Sequence, residues 1–226
     1  MFDRVAGHYD LLNDLLSWGL DRWWRRTTAR AVASPSEPGD WVLDLGCGTG
    51  RLGLLLAGRM RVAGVDLSHS MVVAGRRNAR RRGERIAFVE GSAFRLPFPA
   101  GVFASAVSGF VLRNLDDLPS SFAELHRVLR PGGTAALVDI TEPQQRLVRG
   151  LFDAYFGIAA PALGSLVGRG DEYRYLVRSL ANLPAPGEVC DLLRGAGFDR
   201  CHARPLTGGV AMLFTATKPA SSPDGS

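Results

Sequence analysis

The chain has 226 residues, with 27 basic against 22 acidic side chains and 46% hydrophobic residues. A charged fraction of 22% and a mean hydropathy of +0.03 exclude a disordered chain and a polytopic membrane protein. The length suits one sizeable α/β domain, and the net charge of +5 leaves an anionic partner to be weighed against composition.

The N-terminus reads Met-Phe-Asp-Arg rather than a basic start followed by an apolar run, so no signal peptide is expected and the cytoplasm is the default location. Two helices come first, residues 3–16 and 21–32, separated by Ser17-Trp18-Gly19 and forming a helical cap over residues 1–34. Residues 33–40, with Pro35, Pro38 and Gly39, are a linker. From Trp41 short apolar runs alternate with helical segments. Strands are predicted at 41–45, 61–66, 86–90, 102–108 and 134–140, and helices at 51–57, 68–82 and 118–129. Continuous apolar runs mean strands covered on both faces, and intervening helices mean parallel crossovers. A mostly helical insertion follows at 143–180, including the apolar stretch 150–168, which Gly157, Pro161 and Gly164 make too broken to span a bilayer. A helix at 187–194 and a hairpin of strands 198–206 and 209–217, turning at Gly208-Gly209, complete a doubly wound α/β sheet of seven strands with one antiparallel. Residues 1–218 are read as a single domain and 219–226 as a mobile tail.

Arg76, Arg77, Arg80, Arg81, Arg82 and Arg85 form a tight basic cluster, but Lys218 is the sole lysine of the chain, so arginine bias explains the cluster as well as a binding patch does. On a helix the arginines face outward while Met71, Val72 and Ala79 pack inward, and a solvated face is the reading adopted. Cys47, Cys190 and Cys201 lack CxxC spacing and are read as buried reduced thiols; no metal site is expected.

The sharpest chemical signal is Asp44-Leu45-Gly46-Cys47-Gly48-Thr49-Gly50, where the first strand ends. Glycines let a ligand approach the backbone, and Asp66, twenty positions beyond Gly46, ends the second strand where a carboxylate accepts ribose hydroxyls. The loop is GxGxG rather than GxGxxG. With Asp44 beside it, it would repel a pyrophosphate and attract an ammonium or sulfonium group, which favours S-adenosylmethionine over NAD. Gly91-Ser92-Ala93 follows the third strand, where Ser92 and Ala93 would meet the adenine edge. The loop after the fourth strand, Gly109-Phe110-Val111-Leu112-Arg113-Asn114, has neither Asn/Asp-Pro-Pro-aromatic nor a cysteine, which weighs against nucleic-acid acceptors.

Nearly the whole chain resembles the menaquinone and ubiquinone biosynthesis C-methyltransferases, the demethylmenaquinone methyltransferase family of class I enzymes. The resemblance rests on Met1 to Ala6 with Tyr9-Asp10 and Asn13-Asp14-Leu15, on Arg113-Asn114, and on Arg127-Val128-Leu129-Arg130-Pro131-Gly132-Gly133. It continues in Gly164-Ser165-Leu166, Tyr173-Arg174-Tyr175-Leu176, Ala196-Gly197-Phe198 and Leu206-Thr207-Gly208-Gly209-Val210. It implies a Rossmann-like class I fold and methylation of a ring carbon on a prenylated quinol, most simply demethylmenaquinol. Asp44, Gly46, Gly48, Gly50, Asp66, Ser92 and Ala93 would bind S-adenosyl-L-methionine. Arg113, too basic to accept a proton, would stabilise the oxyanion, with Asn114 holding the ring oxygen or orienting Arg113. Tyr173, Tyr175 and His8 are considered as bases and none is assigned.

The isoprenoid tail would need an apolar entry, and Leu11, Leu12, Leu15, Leu16, Trp18, Trp23 and Trp24 with Arg22, Arg25 and Arg26 suit a lid touching the inner face of the membrane. A homodimer is left open. Several residues depart from the family pattern: Ser92 stands where Asp is frequent, Arg51 where an acid is common, Val111 where Gly is usual, and Thr141-Glu142-Pro143 replaces Ser-Lys-Pro. They keep two alternatives in view: a methyltransferase for another phenolic small molecule, and a non-catalytic module that binds the cofactor.

Overall fold

Successive strand residues point to opposite sides of a sheet, and here both sides of each central strand are apolar, so the sheet must be buried between two layers. The computed structural model describes residues 19–33, 36–143, 145–154, 179 and 182–220. Its strands are β1 (Trp41–Leu45), β2 (Arg61–Asp66), β3 (Ile86–Glu90), β4 (Phe103–Gly109), β5 (Leu129–Ile140), β6 (Asp199–Leu206) and β7 (Ala211–Thr217). They form one seven-stranded sheet in the order β3-β2-β1-β4-β5-β7-β6. The strands β1 to β5 pair in parallel, and β7 runs antiparallel to both β5 and β6. The predicted doubly wound sheet with one antiparallel strand is the observed one.

On one side Val42, Val62, Val107 and Val138 pack with Trp24 and Val32 of α1 (Leu20–Ala33). On the other, Leu43, Leu45, Val65 and Leu137 pack with Phe122 and Leu125 of α3 (Leu118–Val128) and with Val189 and Leu193 of α5 (Pro186–Gly195). The helix α2 (His69–Arg81) buries Met71, Val72 and Ala79, and Ser68 caps its first turn by accepting the Met71 N–H. Arg76, Arg77, Arg80, Arg81, Arg82 and Arg85 are exposed, as a solvated face requires. The helix α4 (Arg146–Ala154) begins the predicted insertion. Lys218 donates to the carbonyls of His126 and Leu129, both at 2.8 Å, and so ties the end of β7 to the C-terminal end of α3. The cysteines Cys47, Cys190 and Cys201 are all free and buried.

Most element ends shift by a residue or so, β7 starts at Ala211 rather than 209 because Thr207–Gly209 form a 3₁₀ turn, and three departures have a local cause. The predicted helix 51–57 is a run of turns around a 3₁₀ segment, Gly53–Leu55. The Leu54 N–H bonds to the Gly50 carbonyl at 2.9 Å as in an α-helix, but Leu55 and Leu56 then donate to Leu52 and Gly53, three residues back, at 3.0 and 2.9 Å. Gly53, whose N–H a first helical turn leaves unpaired, donates to the Asp44 carboxylate at 2.8 Å, and the Thr49 carbonyl accepts from Asn78 at 3.2 Å. The fourth strand is displaced by one residue, to Phe103–Gly109, and the fifth starts at Leu129 because Leu129 already pairs with Phe103 before the register shift at Pro131-Gly132-Gly133. The predicted helix 3–16, residues 155–178 of the insertion with Tyr173 and Tyr175, His8, Trp18 and the tail from 221 lie outside the described residues.

Candidate active site

The strand order runs one way from β1 to β3 and the other way from β4, so the chain switches direction between β1 and β4. A crevice opens there beyond the strands' carboxyl ends, the place where open α/β sheets hold ligands. A cavity of about 380 Å³ occupies it, within the span of roughly 300–1,000 Å³ usual for small-molecule sites. Its walls come from the loop after each central strand: Gly46, Cys47, Gly48 and Thr49 after β1, Asp66 to Ser68 after β2, Gly91 to Phe94 after β3, and Gly109 to Val111 with Asn114 after β4.

Glycine is required at position 46. Its φ is +63°, and a side chain there would lie 2.4 Å from Val111 Cγ2, so the first and fourth loops touch across the crevice. Gly50 serves packing instead, because the space beside it holds the Phe88 ring, and it does not line the cavity. The Asp44 carboxyl lies behind the loop, almost fully buried, and takes the Gly53 N–H. Burial pushes its pKa up to about 7, with the Gly53 hydrogen bond and Arg25 pulling down and Asp66 pushing up. The Asp44 carboxyl thus places an acidic group directly behind the glycine loop.

Asp66 stands on the wall. Its carboxylate accepts from Gly48 N at 2.8 Å and Ser68 N at 2.9 Å, so β2's last residue fixes the glycine loop and the start of α2 together. Ser92 and Ala93 also line the cavity, and Ser92 Oγ accepts the Phe94 N–H at 3.2 Å. Beside them Leu67 is 76% exposed and Phe94 40%, two apolar surfaces at the mouth that could take a flat ring between them. Neither was singled out from sequence; an apolar residue between a strand-end acid and a helix cap is the signal at Leu67. Cys47 is on the wall, but burial, with Asp44 and Asp66 nearby, raises its thiol well above the usual range, so it stays protonated.

The acceptor-side pair separates. Asn114 lines the cavity, with its amide donating to the Phe110 carbonyl at 3.4 Å. Arg113 lies behind that wall and is 5% exposed. Its guanidinium contacts Asp139 Oδ1 and donates to Ser179 Oγ at 3.3 Å, and its backbone N–H donates to Asp139 Oδ2 at 3.2 Å. Phe110, at φ +67°, occupies a conformation unfavourable for a bulky residue, held by its N–H to the Val138 carbonyl at 2.7 Å and by packing against Trp24. Two further cavity residues were not assigned from sequence to this site: Arg25 of α1 and Arg51 after the glycine loop, both paired to the buried Asp21. The Asp21–Arg25 spacing is visible as a helical i,i+4 pair, but its destination is not.

The polar and apolar walls fit a nucleoside carrying an amino-acid arm: Asp66 for ribose hydroxyls, apolar surfaces for a base, and, about the glycine loop, Asp44 behind it with Arg51 and Arg25 on the wall paired to Asp21. The fold is that of solved methyltransferases. A SAM-dependent methyltransferase from Aquifex aeolicus superposes with a TM-score of 0.62 at 17% identity, covering 84% of this chain and 88% of that one. The fold is thus the Rossmann-like class I methyltransferase fold.

A family model for the ubiE/COQ5 methyltransferases matches residues 1–218. The demethylmenaquinone methyltransferase of Thermus thermophilus is 38% identical over 224 residues, 97% of this chain and all of that protein. The ubiquinone/menaquinone biosynthesis C-methyltransferase UbiE of Syntrophotalea carbinolica is 36% identical over 218 residues, 95% of this chain and 91% of that protein. The chain belongs to the ubiE/COQ5 methyltransferase family.

Proposed function

We propose that this enzyme methylates a ring carbon of a prenylated quinol in quinone biosynthesis, with demethylmenaquinol as the acceptor. The observation that carries this reading is one continuous cavity walled by both the glycine loop and the Gly109–Asn114 loop, so donor and acceptor share a single space. When bound, S-adenosylmethionine supplies a methyl group on a positively charged sulfur. Asp66 would orient the ribose by adding its hydroxyls to, or exchanging them for, the backbone donors it holds. Asp44 acts through the loop as a negative charge favouring a cationic arm. Gly46, Gly48 and Gly50 shape the loop, and Ser92 and Ala93 present the adenine edge.

On the acceptor, the quinol hydroxyl loses its proton to water, and the oxygen's charge spreads to the adjacent ring carbon. That carbon's electron pair forms the new bond to the methyl carbon as the carbon–sulfur pair departs with sulfur. The ring carbon then releases its own hydrogen as a proton, and the regained hydroxyl proton leaves the exchange at one net proton released. The chain contributes position and exclusion of water. Asn114 presents its amide to the ring oxygen, and Arg113, anchored to Asp139, holds the loop that carries Asn114.

Residues 1–218 are proposed as one domain. On α1, Trp23 is 46% exposed and Leu20 is exposed beside Arg22, Arg26 and Arg30, an aromatic and cationic face suited to peripheral contact with an anionic bilayer. No described helix is long and apolar enough to cross a membrane. Val111, wedged against Gly46 at the acceptor side, favours a second reading in which the acceptor is a smaller phenol. Turnover of labelled cofactor with a short-chain demethylnaphthoquinol and with a panel of simple phenols decides between them. Methylation confined to the phenols would replace the quinol reading, and cofactor binding without any turnover would leave a binding module.

A further inference from the structure

The family loop draws attention to Arg113, yet its guanidinium faces Asp139 and Ser179 behind the cavity wall. A different guanidinium stands at the acceptor end. Arg25 lines the cavity, and its Cζ sits 4.8 Å from the centre of the Phe110 ring. Its Nη1 is the nearest atom to the place a side chain on Gly109 would fill, at 3.2 Å, so glycine at the end of β4 makes room for it. Its Nε donates to Asp21 Oδ2 at 3.4 Å, and Asp21, itself 3% exposed, also meets Arg51 Nη1 at 3.2 Å. A buried carboxylate on one edge and an aromatic face beneath therefore hold this cation in one orientation.

We infer that Arg25 is the catalytic cation of the methyl transfer, stabilising the negative charge that develops on the acceptor's hydroxyl oxygen while Arg113 acts as a positioning residue for the loop. This deepens the quinol methylation proposed above and rests on it. The physical case is that oxyanion stabilisation requires a permanent charge fixed where the charge develops, in a site closed to water. Arg25 is at the cavity, next to the loop that carries Asn114; Arg113 is not. The other ionisable groups facing this space among the described residues are Arg51 and Cys47 from the glycine-loop side, Asp66 from β2 and Asp116 after the acceptor loop. Asp21 and Asp44 lie behind them.

The test uses the full chain with S-adenosylmethionine and a short-chain demethylnaphthoquinol, comparing wild type with Arg25→Gln and Arg25→Lys. Removal of one oxyanion partner lowers kcat by roughly 10²–10³-fold, so Arg25→Gln should fall by that factor at saturating cofactor, a condition set because Arg25 also favours the ionised Asp44 behind the glycine loop. The limb of the pH–rate profile that reports hydroxyl ionisation should move to higher pH, and Arg25→Lys should recover part of both effects. Gly109→Ala, which crowds the guanidinium out, should reproduce the shifted profile. A rate loss with an unmoved profile and no recovery in Arg25→Lys would reduce Arg25 to a structural role and overturn the inference. Should Arg25→Gln fail to fold, the profiles of Arg25→Lys and Gly109→Ala decide it, and unmoved limbs in both refute it. A wild type that binds cofactor but methylates no quinol refutes the underlying function instead, which a normal wild-type rate distinguishes.

Discussion

Replacing Gly46 by alanine measures how tightly the two central loops are locked. At φ +63° any L side chain costs about 1–2 kcal/mol. The added carbon would stand 2.4 and 2.7 Å from the two γ-methyls of Val111 and 3.1 Å from its Cβ, an overlap of the kind that costs about 1–3 kcal/mol. Gly46→Ala should therefore lose roughly 2–5 kcal/mol, which for a chain of this size lowers Tm by about 4–20 °C. Val111→Ala removes both methyls, leaving only the 3.1 Å contact, and should by itself cost about 1 kcal/mol because the residue is half-buried. The double variant keeps the backbone strain but loses the overlap, so it should be more stable than the sum of the singles by about 1–3 kcal/mol. Urea unfolding of the four proteins gives the cycle. A coupling energy below about 0.5 kcal/mol would refute direct contact between the loops.

Burial raises the Asp44 carboxyl in the folded chain from 3.8 to about 7, so its stabilising contribution is complete below about pH 4 and is lost as pH rises through about 7. Asp44→Asn should flatten that decline in urea midpoints between pH 5 and 8, scanned with one buffer series. Because a cationic ligand favours the ionised carboxyl, wild-type cofactor Kd should also fall as pH rises through about 7; calorimetry showing no proton release would dismiss this coupling. Asp139→Asn leaves the buried Arg113 charge without its partner and should cost about 3–5 kcal/mol of stability, partly regained in Asp139→Asn/Arg113→Met; an Asp139→Asn protein as stable as wild type contradicts the pairing. Trp23→Ser should weaken flotation with vesicles containing anionic lipid without altering cofactor Kd, and unchanged flotation would remove the membrane face.

The strands β1, β2 and β3 have the bounds read from sequence; in β1 and β2 the four residues after the first are apolar or buried on both faces, whereas β3, at the sheet's edge, buries only Phe88 fully and is marked by its β-branched and aromatic residues. The segment 51–57 has a helical composition and closes one α-type bond, Leu54 to Gly50, but then tightens to bonds three residues back at Leu55 and Leu56, a difference of one residue in acceptor that composition does not record. Gly46, Gly48, Asp66, Ser92, Ala93 and Asn114 are brought together at the cavity because each ends a strand or opens the following loop, positions that topology places on one edge. Arg113 and Arg25 exchange prominence because burial and pairing are set by contacts far along the chain. Arg113 meets Asp139, 26 positions away, and Arg25 approaches Phe110 across the layer formed by α1. Local motif spacing carries no record of either.

The hairpin at the end of the chain has a further consequence. Because β7 inserts beside β5, the outermost ribbon of the sheet on that side is β6, which bears Asp199, Arg200, His202, Arg204 and Pro205. Charges along an open margin discourage another backbone from zippering onto it, and Pro205 lacks the amide such an addition would require. On this side the molecule thus ends its sheet on a margin that resists fibrillar growth.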